Sequence, residues 1–219
     1  MKIDLQDNKH VSFDLWLTLI KSDPEFKNKR NQLFKDFFEI PINIDEVAIA
    51  IRHFDVFCND TNQRTGLNFD TFEIYYLILD ALKMDLDQIS VQKLNNFYTE
   101  CETLFLEYKP ILIYENIESV LKQLKNADLS LNILSNTAFI KGRTLRKIIN
   151  LYGLSSYFDF ELYSDETGFS KPSSKMFDMV LIQANEIKKI KKHEILHIGD
   201  NKIADFNGAI NFGFNAQLI

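Results

Sequence analysis

The sequence predicts an α/β protein: a doubly wound parallel sheet interrupted by one purely helical block. Three observations lead there. Short apolar runs at residues 11–15, 129–134, 157–163, 195–198 and 216–219 alternate with segments of helical periodicity, the pattern of parallel strands joined by crossover helices with helices on both faces. Residues 21–109 carry helical periodicity alone. Asp14, Ser135 and Asp200 each stand at or near the carboxyl end of a candidate strand, where such sheets place their ligands.

Along the chain, the run HVSFDLWLTLI at 10–20 reads as a first strand followed by a loop. Four helices follow at about 24–38, 44–58, 69–85 and 88–108. Their apolar faces carry Leu33, Phe34 and Phe37; Val47, Ile51 and Phe54; Phe72, Tyr75 and Leu79; and Leu94, Phe97 and Leu104. Pro41 and the stretch 59–68 break the pattern, and Pro110 returns the chain to strand–helix alternation. Ile117, Val120, Leu121 and Leu124 then fall at i, i+3, i+4, i+7, as do Phe177, Val180, Leu181 and Ala184. Gly153 is placed to stop the helix through Arg146 and Ile149, and Ser173 to cap the helix containing Met176. The division expected is 1–20 and 110–219 for the α/β part and 21–109 for the helical block.

Composition narrows the function. With 219 residues, 46% apolar and 13% aromatic, the chain can bury a sizeable core. The phenylalanines of the helical block read as bundle interior rather than as a substrate box. Net charge is −6 with both signs interspersed, which leaves no basic footprint for nucleic acid. Cys58 and Cys101 stand far apart without metal-spaced partners, as expected of two reduced thiols in a cytoplasmic protein. The first dozen residues are too polar for a signal peptide, and no apolar stretch approaches the ~20 residues of a membrane helix. Oligomeric state is not legible.

Four segments carry chemistry. Asp14 ends the first strand, with Trp16 and Thr18 close behind. LSLNILSNT at 129–137 is an apolar run ending in Ser135 and Asn136. GFSKPSSKMF at 168–177 sets Lys171 before a helix. EILHIGDNKIAD at 194–205 ends in Asp200 and Asp205, five apart. Nucleophile, hydroxyl, lysine and carboxylate pair in that order resemble the haloacid dehalogenase superfamily, whose phosphatases use four such motifs. The resemblance covers about residues 8–20 and 110–219. It departs at Trp16, where a second aspartate usually stands, and at Leu17, usually glycine. It implies a Rossmann-like core with the helical block as an inserted cap.

The resemblance also implies roles. Asp14 would attack phosphorus and form an aspartyl-phosphate, splitting one difficult step into two. Lys171 and a Mg²⁺ would offset the charge on the transferring group, with the Asp14 carboxylate, the Trp16 carbonyl and Asp200 as protein ligands. Ser135 would hold a phosphoryl oxygen, and Thr18 and Asn136 belong to the same binding set. Backbone N–H groups near Leu15, Trp16 and Asn136 would complete the cradle, and Asp205 would orient a metal-bound water or Lys171. His197 reads as a satisfied interior histidine, and His10, His53 and His193 carry no partner signal. Lys21, Arg52 and Arg64 read as solvated surface rather than substrate contacts.

Trp16 divides the possibilities, because an indole donates a hydrogen bond but moves no protons at neutral pH. The chain is then a slow phosphatase or one with another proton carrier, a haloacid dehalogenase attacking carbon, a carbon–phosphorus hydrolase, or an inactive small-ligand binder. The third would need a cap lysine, and Lys21 and Lys27 sit in no recognisable motif. Asp200 favours the first, since the superfamily's dehalogenases need no metal. The expectation is a cytoplasmic, Mg²⁺-dependent phosphatase of a small phosphorylated metabolite, with no nucleic-acid or membrane partner.

Overall fold

Five parallel strands form the central sheet, in the order β5-β4-β1-β6-β7. The computed structural model describes residues 1, 3–5 and 7–219; Lys2 and Gln6, which fall in the expected core segment, lie outside the described residues. In chain order the elements are β1 (His10–Phe13), β2 (Ile20–Lys21), α1 (Phe26–Phe37), α2 (Ile44–Thr65), α3 (Thr71–Ala81), α4 (Val91–Glu107), β3 (Ile111–Leu112), α5 (Ile117–Asn126), β4 (Ser130–Ser135), α6 (Gly142–Leu151), β5 (Phe160–Tyr163), α7 (Ser164–Thr167), α8 (Ser174–Ile187), β6 (Ile195–Gly199), α9 (Gly208–Phe212) and β7 (Asn215–Leu218). The fold is a doubly wound α/β core carrying an inserted helical cap. No helix among the described residues is long and apolar enough to cross a membrane.

β1 lies at the centre, pairing with β4 on one side and β6 on the other, with Phe13 opposite Ile133 and Ile198. All four of its residues are buried. The period-two alternation sorts side chains to the two faces. Val11, Phe13, Leu131, Ile133, Leu196 and Ile198 pack in one apolar cluster with Leu121, Leu145 and Ile148 of α5 and α6. Leu134, Leu162 and Ile195 face the other way, onto Met176, Phe177 and Val180 of α8. Strand order reverses about β1, so the carboxyl ends of β1, β4 and β6 open into the crevice where such sheets bind ligands.

The α8 side of β1 also carries a polar stripe. His10 Nδ1 is 2.7 Å from Ser130 Oγ and Nε2 is 2.8 Å from Asn132 Oδ1, so the neutral imidazole fits by accepting at Nδ1 and donating from Nε2. No partner of His10 is legible in the sequence because Ser130 lies 120 and Asn132 lies 122 residues away on β4. His197 Nδ1 lies 3.0 Å from Ser12 Oγ.

Helices α1–α4 occupy the whole span between β2 and β3, and these two-residue strands pair antiparallel, Ile20 with Leu112, at the base of the block. They are too short to leave a periodic signal in the sequence. Phe34, Phe38, Tyr75 and Phe97 interleave at the centre of the block, with ring centroids 4.9 to 5.9 Å apart. The expected break at 59–68 is corrected: α2 runs on to Thr65 and stops at Gly66, φ 73°. The last two turns are polar because they face other tasks than the bundle. Asn62 is buried and accepts the Phe69 N–H at 2.9 Å, while Asn59 and Gln63 line a cavity. Ser173 occupies the position before α8, but its hydroxyl makes no capping bond. Gly153 follows α6 with φ 70°, as expected.

Burial lowers the His10 pKa from 6.5 to about 4, against the hydrogen bond to Asn132 that raises it. Between those two values the unfolded chain binds a proton that the folded chain does not, so stability falls as pH falls through that window. The loss from this residue should reach about 3 kcal/mol. Urea unfolding of wild type and His10→Gln at pH 7, 5.5 and 4 should show a shallower decline in the variant; parallel curves would refute the assignment.

Candidate active site

Asp14 follows β1 directly, and its backbone N–H donates to the Ile198 carbonyl at 2.9 Å, so the central strand and β6 together fix where its carboxylate emerges. Lys171 comes from the loop ahead of α8. Its ammonium donates to Asp14 Oδ1 at 2.7 Å and to Asp205 Oδ1 at 2.6 Å, and the side chain is buried. Asn136, just past β4, clamps the lysine backbone: the Lys171 N–H donates to its Oδ1 at 2.7 Å, and its Nδ2 donates to the Lys171 carbonyl at 3.0 Å. β4 thus positions a residue more than 30 positions away.

The end of β6 completes the cluster. Asp205 lies in a π-helical turn, Lys202–Asn207, whose first N–H groups are capped by Asn201 Oδ1. Single π turns occur frequently at functional sites, where they redirect a side chain. Asp205 Oδ2 accepts the Asn201 N–H at 3.0 Å, and Oδ1 also meets His197 Nε2 at 3.2 Å. His197 is an interior, satisfied histidine, as read from sequence, and it also braces Asp205. A Cβ at Gly199 would sit 2.3 Å from Asp205 Cγ and Oδ2. Only glycine allows this approach.

Carboxylate oxygens of Asp14, Asp200 and Asp205 lie within 4.8 Å of one another. With one ammonium between them, the group carries a formal charge of −2. Burial pushes the Asp14 carboxyl up to about 7, outweighing the Lys171 charge. Burial and the nearby Asp205 charge raise Asp200. Burial works to raise Asp205 as well, but the Lys171 charge and the His197 hydrogen bond hold it well below the usual carboxylate range. An all-oxygen donor set with excess negative charge fits a hard divalent cation such as Mg²⁺.

Above the strand ends lies a cavity of about 380 Å³. Asp14, Trp16, Leu17, Asn136, Lys171, Asp200 and Asp205 line its floor. Leu17 takes a left-handed backbone, φ 59°, a conformation that costs a branched residue roughly 1–2 kcal/mol and explains why glycine suits this position. Trp16 packs on Phe105 of α4, ring centroids 6.1 Å apart.

Two expected binding residues are not brought to the cavity. Thr18 is buried beneath the loop, with its hydroxyl unpartnered. Ser135 is buried and its hydroxyl donates to the Asn136 carbonyl at 3.3 Å, so Asn136 and Thr137 form that part of the wall. Arg52 and Arg64 pair with Asp55 and Asp60 on their own helix and stay largely exposed.

Lys27, weighed in the sequence only as a cap lysine, lines the cavity; sequence reading missed the rest of the cap wall, Arg30 of α1 and Asp55, Asn59 and Gln63 of α2. The signal was present. Phe26, Arg30 and Phe34 fall at i, i+4, i+8, which sets an arginine on a buried stripe. Asp55, Asn59 and Gln63 repeat the same spacing along α2.

A sequence model of the haloacid dehalogenase-like hydrolases matches residues 11–219. The chain belongs to that family. It is 30% identical over 141 residues to the glyceraldehyde 3-phosphate phosphatase of Methanothermobacter thermautotrophicus, covering 57% of this chain and 59% of that protein. It is 28% identical over 108 residues to the (S)-2-haloacid dehalogenase 2 of a Pseudomonas species, covering 49% and 44%. The chain therefore spans about half the length of these curated relatives. A magnesium-bound HAD-hydrolase from Bacillus subtilis shares the fold, with TM-score 0.67 and 18% identity over 97% of this chain and 86% of that one.

Because the floor depends on Gly199, Gly199→Ala should displace Asp205, lowering stability by roughly 1–3 kcal/mol. Chemical denaturation measures this directly, and an unchanged midpoint would contradict the packing described.

Proposed function

We propose that this hydrolase is a Mg²⁺-dependent phosphatase of a small phosphorylated metabolite in the cytoplasm, with Asp14 as nucleophile and residues 21–109 as the cap over the site. The observation that carries this reading is the buried Lys171 ammonium between Asp14 and Asp205, with Asp200 beside them. That group leaves charge for a divalent cation and offers one fixed ammonium to an anionic substrate.

In this reading an Asp14 oxygen attacks phosphorus, the ester P–O bond breaks, and the leaving oxygen takes a proton to become an alcohol. Water then cleaves the aspartyl-phosphate, releasing inorganic phosphate and regenerating the carboxylate. Lys171 orients Asp14 and meets the charge that develops on the transferring oxygens. Asn136 holds the Lys171 backbone, Asp205 holds its ammonium, and Ser135 supports that wall from behind. Asp14, the Trp16 carbonyl and Asp200 would hold the Mg²⁺, which supplies electrostatic neutralisation of the phosphoryl group when bound. Position 16 offers no carboxyl, so the proton comes from solvent or substrate, and turnover is slow. Two observations favour a second reading: an aromatic residue at position 16 and the likeness to a 2-haloacid dehalogenase suit attack on carbon. Asp200 weighs against it.

Screening small phosphate esters and 2-haloacids, with Mg²⁺ or chelator, separates the two. Phosphate release should require Mg²⁺ and vanish in Asp14→Asn. Calorimetry should show Mg²⁺ binding lost in Asp200→Ala. Metal-independent halide release instead would overturn the phosphatase reading.

Trp16→Asp should raise phosphatase turnover, by up to ~10²-fold, at some cost in stability because the indole packs on Phe105. A variant no faster than wild type would mean that another group carries the proton.

A further inference from the structure

The cavity has a second cationic centre, on the wall that the helical block contributes. Arg30 projects from α1 into this wall with its guanidinium 4.5 Å from the Phe139 ring centroid. Phe139 lies in the loop after β4, so the arginine reaches from the cap to the core. Its Nε and Nη2 both donate to Asn31 Oδ1, at 3.3 and 3.0 Å. That is the one acceptor it has among the described residues, and it is neutral. Among the described residues no carboxylate stands within ion-pair distance, although guanidinium carries five N–H donors. The acid that α2 contributes to this wall, Asp55, pairs with Arg52 and Asn59 instead. A half-buried arginine with one edge fixed, one face stacked and the other edge free is prepared for a bidentate anionic acceptor.

A neighbouring group also lacks its complement. Gln63 Oε1 is buried in the same wall without a donor, and buried acceptors of this kind are costly unless something supplies one. A substrate hydroxyl would do so. Lys27 adds further positive charge at the mouth.

We propose that Arg30 selects the substrate, and that this substrate is a small phosphate ester carrying a second anionic oxygen group, a carboxylate or another phosphate, away from the phosphoryl group that is cleaved. This rests on the phosphatase reading above. The phosphoryl end meets Asp14 and Lys171, the second anion meets Arg30, and the cavity of about 380 Å³ limits the carbon chain between them to a few atoms.

Calorimetry with Mg²⁺ present tests it, using wild type, Arg30→Met and Arg30→Lys, each checked for native unfolding behaviour. The probes are 3-phosphoglycerate, glycerol 3-phosphate, propane-1,3-diol bisphosphate and glycerate. The first two differ only by a carboxylate in place of a hydroxymethyl group. Wild type should prefer 3-phosphoglycerate by roughly 10- to 100-fold, the worth of a charge-assisted bidentate contact. Arg30→Met should bring the two affinities within about twofold, and Arg30→Lys should keep part of the preference. Bisphosphate binding tighter or weaker than 3-phosphoglycerate tells which anion the site was built for. Equal wild-type affinities, or a preference that survives in Arg30→Met, would overturn the proposal. If neither ester binds but glycerate binds in an Arg30-dependent way, the phosphoryl reading fails while Arg30 remains an anion-binding residue. If no probe binds, both fail.

Discussion

One buried ammonium organises the floor of this molecule. Lys171 sits between Asp14 and Asp205 at 2.7 and 2.6 Å, almost without solvent. Burying a lysine costs several kcal/mol unless its charge is met, and removing one partner of such a group costs about 3–5 kcal/mol. The surrounding architecture meets that charge from three strands. β1 delivers Asp14, β4 delivers the Asn136 clamp, and β6 delivers Gly199, which lets Asp205 close in. His197 and Asn201 then fix the Asp205 carboxylate from two sides. The central sheet's register is therefore also the register of the site. A slip of one residue would turn Asp14 away from the lysine.

Charge accounting links floor and wall. Three carboxylates and Lys171 leave −2 on the floor, which a divalent cation would neutralise. In the reading proposed above, a phosphate ester that enters then needs further positive charge, and among the described residues lining the cavity the cap side has it to spare. Lys27 and Arg30 against Asp55 give +1 there. The helical block thus balances the electrostatics of a cavity whose floor carboxylates all lie on the core, and β2–β3 pairing at the base of the block joins the two parts.

Much of this was legible in the sequence, for identifiable reasons. The central parallel strands show as short apolar runs because they are buried on both faces; Asp14, Asp200 and Asp205 stand out as carboxylates following such runs, and Lys171 as the cation ahead of a helix. What was not legible depends on contacts between distant segments. The His10 partners lie across strands, the Asn136–Lys171 clamp spans 35 residues, and β2 and β3 are too short for any period to show. The end of α2 was misread because polarity there reflects the cavity and solvent rather than a loop. Ser135 and Thr18 lie at or beside the strand ends but not on the cavity, because whether a hydroxyl faces the cavity or the interior is set by a rotamer and a turn, which no spacing encodes. Arg30 is not singled out by sequence reading although it falls on the stripe from Phe26 to Phe34.

Trp16 shows how packing and chemistry compete for one position. Its ring lies against Phe105, which in turn packs edge-on against Phe26 of α1 at 5.0 Å. The indole therefore ties the nucleophile loop to the same helix that carries Arg30. A carboxylate at position 16 would gain a proton carrier and lose that link, placing a charge beside two aromatic rings where desolvation opposes it. The left-handed Leu17 that follows adds a further constraint, since the loop holds this shape with a branched residue where glycine would be unstrained. Both departures favour a fixed loop beneath a fixed cap wall. Under the roles proposed above, the sequence has exchanged proton-transfer capacity at the Asp14 loop for a rigid join between Asp14 and the cap wall that carries Arg30.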